Sequence, residues 1–255
     1  MFVLGDLGCR SRERPNYKDL KIIDLAHSEL NSNDQHKSSK SIYITVSIFA
    51  IPQENLTKLD KLKENLYSVP IKPNNPRAFR ANSISAAYGR YQNLQETIEL
   101  LTKLQAERIN NLFLILSDSG SDNIGVSSFS ATQNIYYTTD TGTARIAAVK
   151  PGQLVLQITA EKTRSTHGIC NLDVAPVALP GFSFQLPNPK AIRQSKKVIF
   201  DVAAFNTKLG IGDFILLSPK KEPASPVTLN GLLFSRNNLP SKFIAYIILC
   251  RGFSG

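Results

Sequence analysis

Ile42-Tyr43-Ile44-Thr45-Val46-Ser47-Ile48-Phe49-Ala50-Ile51 decides the fold, because apolar or β-branched side chains fill nearly every position before Pro52 ends the run. A run of this length without strict alternation reads as a buried strand. Downstream, Leu56, Leu59, Leu62 and Leu66 recur at helical spacing with Lys58, Lys61 and Lys63 between them, which predicts an amphipathic helix. Residues 70–76 carry three prolines and two asparagines and read as a loop. A short strand is expected over 78–85. Asn93 and Glu96 then make a capping-box pattern that opens a helix carrying Leu94, Ile98, Leu101 and Leu104. The apolar segment Leu112-Phe113-Leu114-Ile115-Leu116 follows as a strand. Residues 41–118 are therefore expected to form a β-α-β-α-β unit.

Beyond residue 118 the pattern changes to strands. They are expected over 124–129, 134–139, 144–149, 154–160, 169–177, 198–204, 214–217, 228–235 and 243–250. Turn signals separate them, notably Pro151-Gly152, Leu179-Pro180-Gly181 and Leu209-Gly210-Ile211-Gly212-Asp213. Short strands at this spacing predict a β-rich sandwich or barrel-like part over 119–255, packed on the first unit. The fold class is α+β. Residues 180–195, with Pro180, Pro187 and Pro189, read as a long crossover or flap.

The chain has 255 residues, of which 42% are hydrophobic, enough for a substantial core. No run approaches the roughly 20 apolar residues that a membrane-spanning helix needs, so no transmembrane span is expected. The net charge is +10. Much of it falls in 180–255, where ten Lys/Arg face only Asp201, Asp213 and Glu222. Lys190, Arg193, Lys196, Lys197, Lys220 and Lys221 form the candidate patch for an anionic partner. No clustered basic helix or aromatic stacking motif accompanies them, which argues against nucleic acid.

Three cysteines, Cys9, Cys170 and Cys250, stand too far apart for a zinc motif. Cys170 and Cys250 lie in strand-like segments and form a candidate disulfide in an oxidising compartment. Cys9 ends the stretch Met1-Phe2-Val3-Leu4-Gly5-Asp6-Leu7-Gly8-Cys9, and a polar, basic segment begins at Arg10. A short apolar stretch ending Gly-Cys resembles the tail of a bacterial lipoprotein signal peptide, a resemblance that implies lipidation of Cys9. Asp6 stands where that family has an aliphatic residue, and the n-region lacks basic residues. Residues missing upstream of Met1 would account for the shortness of the apolar stretch. Residues 10–40 are rich in Ser, Asn, Lys, Asp and Gln, so residues 1–40 read as a disordered anchor and tether. Within it Leu20 to Leu30 has brief helical amphipathicity.

Asp118-Ser119-Gly120-Ser121 and Asp140-Thr141-Gly142-Thr143 repeat one pattern 22 residues apart. Asp-Ser/Thr-Gly-Ser/Thr after an apolar strand resembles the catalytic turn of aspartic peptidases, where two carboxylates share a proton and activate water. Ile211-Gly212-Asp213 likewise resembles the segment that cradles this turn in retropepsin-like enzymes, with the spacing off by one residue. The separation of the two motifs argues the other way, since pepsin-like lobes place them more than a hundred residues apart and retropepsin-like chains supply one each. The same tetrads are ordinary turn chemistry.

Of the histidines, His27 and His36 lie in the tether and His167 in a loop near Cys170, where strand alternation disfavours a dyad. No metal-ligand spacing, phosphate loop or dinucleotide fingerprint is present, and no cofactor is expected. The expectation is a non-enzymatic binding or scaffolding protein of the bacterial cell envelope. Its partner would be another protein or an anionic envelope surface, and its only membrane attachment a lipid at Cys9. Were Cys9 not lipidated, a cytoplasmic location would follow. An aspartic peptidase using Asp118, with Asp140 or a dimer mate, and a basic nucleic-acid-binding module are the alternatives.

Overall fold

The apolar run from Ile42 forms β1 (Ser41–Pro52), whose even-numbered side chains Ile42, Ile44, Val46, Ile48 and Ala50 are all 1% exposed or less. The computed structural model describes residues 41–163, 168–181, 197–223, 225–236, 239 and 241–254. After β1 come a 3-10 turn (Gln53–Asn55), α1 (Leu56–Glu64), the two-residue β2 (Lys72–Pro73), α2 (Pro76–Ala81), β3 (Ile84–Gly89) and α3 (Tyr91–Lys103). Strands β4 (Glu107–Ser117), β5 (Gly120–Phe129), β6 (Gln133–Thr138), β7 (Ala144–Val149), β8 (Gly152–Lys162) and β9 (Ile169–Pro180) follow. The chain continues through β10 (Val198–Ile199), a 3-10 turn (Asp201–Ala203), β11 (Phe205–Gly210), β12 (Phe214–Pro219), α4 (Leu229–Phe234) and β13 (Lys242–Phe253).

The protein is mostly β, built from antiparallel sheets. One sheet has the order β3-β12-β13-β1-β4, a second β2-β11-β9-β8-β5 with β10 beside β9, and β6 and β7 pair as a hairpin. The boundary expected at residue 118 does not divide the sheets. Strands β1, β3 and β4 precede it, yet they share their sheet with β12 and β13, and β13 lies between β12 and β1. Residues 39–255 form one compact unit.

Both sheets contribute to a single core. Ile44, Val46, Ile244, Tyr246, Ile248 and Leu116 of the first sheet cluster with Leu154, Leu156, Ile158, Leu172, Val174 and Ile124 of the second. The opposite face of the first sheet is also covered. There Phe49, Ile51, Phe243, Ala245, Ile247, Leu249, Phe214 and Leu216 pack with Leu59 and Leu62 of α1 and Leu101 and Leu104 of α3. Burial on both faces explains why β1, β12 and β13 read as almost uninterrupted apolar runs. The helices leave one corner bare: Tyr43 stacks on Phe113 at 5.9 Å, and Phe113 and Ile115 on edge strand β4 remain exposed.

Four segments depart from expectation. Residues 78–85 begin as α2, because Asn75 accepts a hydrogen bond from the Ala78 N–H at 3.1 Å and Pro76 occupies the first helical position. Residues 198–204 yield only a two-residue strand and a 3-10 turn, and the full strand is β11, which runs into the expected turn at 209–213. Residues 228–235 form α4 instead of a strand. Thr228 caps it by accepting from the Gly231 N–H at 3.1 Å, and Leu229, Leu233 and Phe234 turn into the core. The helix expected to open at Asn93 starts at Tyr91, with Asn93 reaching back to accept from the Arg90 N–H at 3.2 Å.

Candidate functional site

A hollow among the described residues follows from two local choices of the sequence. In β5 the register against β8 slips between Gly125 and Ser127, so Val126 is an extra residue that kinks the strand. Val126 still reaches the core at 8% exposure. The other choice is the Thr228 cap, which makes a helix where a strand would have continued the sheet. Helix α4 lies against β5, β6, β12 and β13 and fills the side of the sandwich that β5 leaves open. Between them is a groove of about 610 Å³, lined by residues 125–129 of β5, by 226–227, and by Gly231, Leu232, Ser235 and Arg236 at α4. Gln133 and Gln153 complete it. Its size falls in the range of small-ligand and peptide sites.

One wall of this groove is a sheet edge. Strand β5 pairs with β8 on one side and, among the described residues, has no strand neighbour on the other. Among the described residues lining it, Arg236 is the only charged side chain. Its Nε is buried and has no hydrogen-bond partner among the described residues. The guanidinium lies within hydrogen-bonding reach of the Tyr246 hydroxyl, which itself donates to the Leu233 carbonyl at 2.9 Å. Burial raises the Tyr246 phenol to about 12, and the nearby Arg236 charge only partly offsets that rise. A smaller hollow of about 140 Å³ also reaches Arg236 from the side of Gln53, Glu222 and Lys242.

The residues singled out from sequence are dispersed. Asp118 and Ser119 form the tip of the hairpin from β4 to β5, with Ser119 at φ 63°. Gly120 is required there because an added Cβ would lie 2.5 Å from the Ser117 Oγ. The exposed Asp118 carboxylate accepts a hydrogen bond from the Lys162 N–H at 2.7 Å, which ties the hairpin to the end of β8. Asp140 sits in the separate turn between β6 and β7. There its carboxylate accepts from the Thr141 N–H at 3.0 Å, and Gly142 supplies φ 79°. Each carboxylate is exposed and serves its own turn. Asp213 is occupied differently: it accepts from the Tyr88 hydroxyl at 2.6 Å and the Gly210 N–H at 2.9 Å, closing the turn from β11 to β12. Burial, then the bond to Asp213, hold the Tyr88 phenol above its ordinary range.

Cys170 of β9 and Cys250 of β13 come from opposite sheets, are fully buried, and are free thiols. The Cys250 thiol is pushed up, first by its hydrogen bond to Cys170 and then by burial. Lys220 and Lys221 follow β12 and are exposed, as is Lys197 just before β10. Cys9, the tether with His27 and His36, His167, Lys190, Arg193 and Lys196 lie outside the described residues. Among the described residues no group of three His, Cys, Asp or Glu stands close enough to hold a metal ion, and no helix is long and apolar enough to cross a membrane.

Sequence reasoning missed the groove because its parts are unremarkable in isolation. Thr228 followed by Leu229, Leu232 and Leu233 is a helix signal that was available, and it would have placed α4. Neither a protein-family model nor a curated protein matches the chain. Among solved structures there is a likeness to the type IV competence pilus secretin PilQ of V. cholerae, at 10% identity and a TM-score of 0.16. It covers 84% of this chain and 56% of the secretin chain. Superposition that poor carries no argument about fold or function.

Proposed function

We propose that this chain is a non-enzymatic binding protein whose partner site is the groove between β5 and α4. The observation that carries this reading is the conjunction of an edge strand with the partly exposed Arg236 side chain in one hollow. Groups of this kind favour an occupant that hydrogen-bonds to them. The reading carries no catalytic group, since Asp118, Asp140 and Asp213 each serve a turn. Selection of a displayed random peptide pool against the full chain tests it. Selected peptides should lose binding to a Gly125→Trp variant, because Gly125 lines the hollow and an added Cβ there meets nothing within 4 Å. Peptides that bind the variant as well as the parent would place the site elsewhere.

The same proposal locates the protein in the bacterial cell envelope, held by a lipid on Cys9. Its support is the Gly8-Cys9 ending and the Ser/Asn/Lys-rich stretch that separates it from β1. Fractionation of cells expressing the protein from its genomic reading frame should place it in the membrane pellet and release it on Cys9→Ser. Equal distribution of both forms would remove this part of the proposal.

A further inference from the structure

The groove has properties that restrict its occupant, and the inference drawn from them rests on the binding reading above. Its β5 wall spans five residues, 125–129, or about 14 Å at the rise of an antiparallel strand. A chain lying along it would be extended, because only an extended chain presents N–H and C=O groups at the spacing of a strand edge. The polar side chains in reach among the described residues are Ser127, Ser128, Gln133, Gln153 and Ser235, all neutral, together with Arg236. With a single positive charge and no carboxylate among the lining residues, the hollow is electrostatically one-sided. The Arg236 side chain lines the hollow and is partly exposed, and a planar guanidinium is matched best by a carboxylate.

We propose that the groove binds an extended peptide segment bearing a carboxylate, which adds as a strand to the free edge of β5 and places that carboxylate on Arg236. The bulge at Val126 contributes to selectivity, since it breaks the ladder rhythm of the edge. The backbone gives general affinity and the guanidinium gives direction. A neutral peptide would satisfy the strand edge and leave Arg236 as it is.

The experiment uses the full chain and three fluorescein-labelled pentapeptides of alternating Thr and Val. One has a free C-terminal carboxylate, one a C-terminal amide, and one a C-terminal amide with an internal Glu. Fluorescence anisotropy should show saturable binding of the free acid or the Glu peptide. The neutral amide should bind roughly ten- to a hundredfold more weakly, as loss of a charge-assisted hydrogen bond implies. Which of the two acidic peptides binds tells a chain terminus from an acidic side chain. Arg236→Gln should erase the preference for acid, and Arg236→Lys should keep part of it. Because Arg236 also lies beside Tyr246, Gly125→Gln provides an independent arm. It should leave the melting curve unchanged and weaken all three peptides. Equal affinity of the neutral amide and the acids, displaced by Gly125→Gln, would overturn the carboxylate inference and leave the groove reading standing. Undiminished binding to Gly125→Gln would overturn the inference through its site. Absence of saturable binding by any of the peptides would overturn it too, and the display selection would then judge the groove by itself.

Discussion

Tyr246 shows how much a single side chain can report on this core. Its ring is fully buried and its hydroxyl has a fixed acceptor. The folded phenol titrates at about 12, above the ordinary value near 10 of an unfolded chain. A raised folded value contributes stability that is intact below about pH 10 and is lost as the pH rises toward 12. Denaturant titrations at pH 9 and 11 should show the parent losing about 1 kcal/mol more than Tyr246→Phe over that interval. The buried thiols give a second expectation. A maleimide should leave Cys170 and Cys250 unlabelled in the native protein, read peptide by peptide in a mass spectrum, and label both in denaturant. At Asp118 the bond to the Lys162 N–H predicts a loss of about 1 kcal/mol on Asp118→Ala, seen as a lower midpoint of chemical denaturation. The turn role of Asp118 and Asp140 was legible from their Gly and Ser/Thr neighbours. That Asp118 fastens a hairpin to a residue 44 positions away was not, because no local pattern encodes it.

Among the elements, legibility followed the source of each signal. Strands β1, β8, β9, β12 and β13 were visible as apolar runs because they are buried, and α1 and α3 as leucine periodicities because one face of each meets the first sheet. Short elements were misread where a cap outweighed composition. Both α2 and α4 are six residues long and are started by one side-chain oxygen, from Asn75 and from Thr228. For α4 this yields a sharp expectation: Thr228→Ala should cost about 1 kcal/mol. If α4 closes the groove as described, the same variant should speed deuterium uptake in residues 229–234 and along β5. Leu101→Ala, on the helix face that covers β13 and β12, should cost about 2–5 kcal/mol by the cavity it leaves.

Across the whole molecule, the sheets interlock the two halves of the sequence in a way no linear reading anticipated. Pairing of β13 with β1 depends on contacts some two hundred residues apart, and periodicity within a segment says nothing about which distant segment it will meet. Circular dichroism and tyrosine fluorescence should therefore report one coincident unfolding transition for the described unit, and a fragment of residues 41–118 should stay unfolded by both probes. The candidate groove was invisible for the same reason, since its β5 and α4 walls lie about a hundred positions apart. This topology also bears on how the protein is made. Strand β1 ends at Pro52 and its neighbour β13 begins at Lys242. At the elongation rates of ribosomes, about 5–20 residues per second, that interval is roughly 10–40 s. Throughout it the most apolar early segment of the nascent chain lacks its central neighbour. A chaperone that holds β1 until the last strand emerges would serve this fold, and a stop codon shortly before Lys242 would leave the first sheet without its middle.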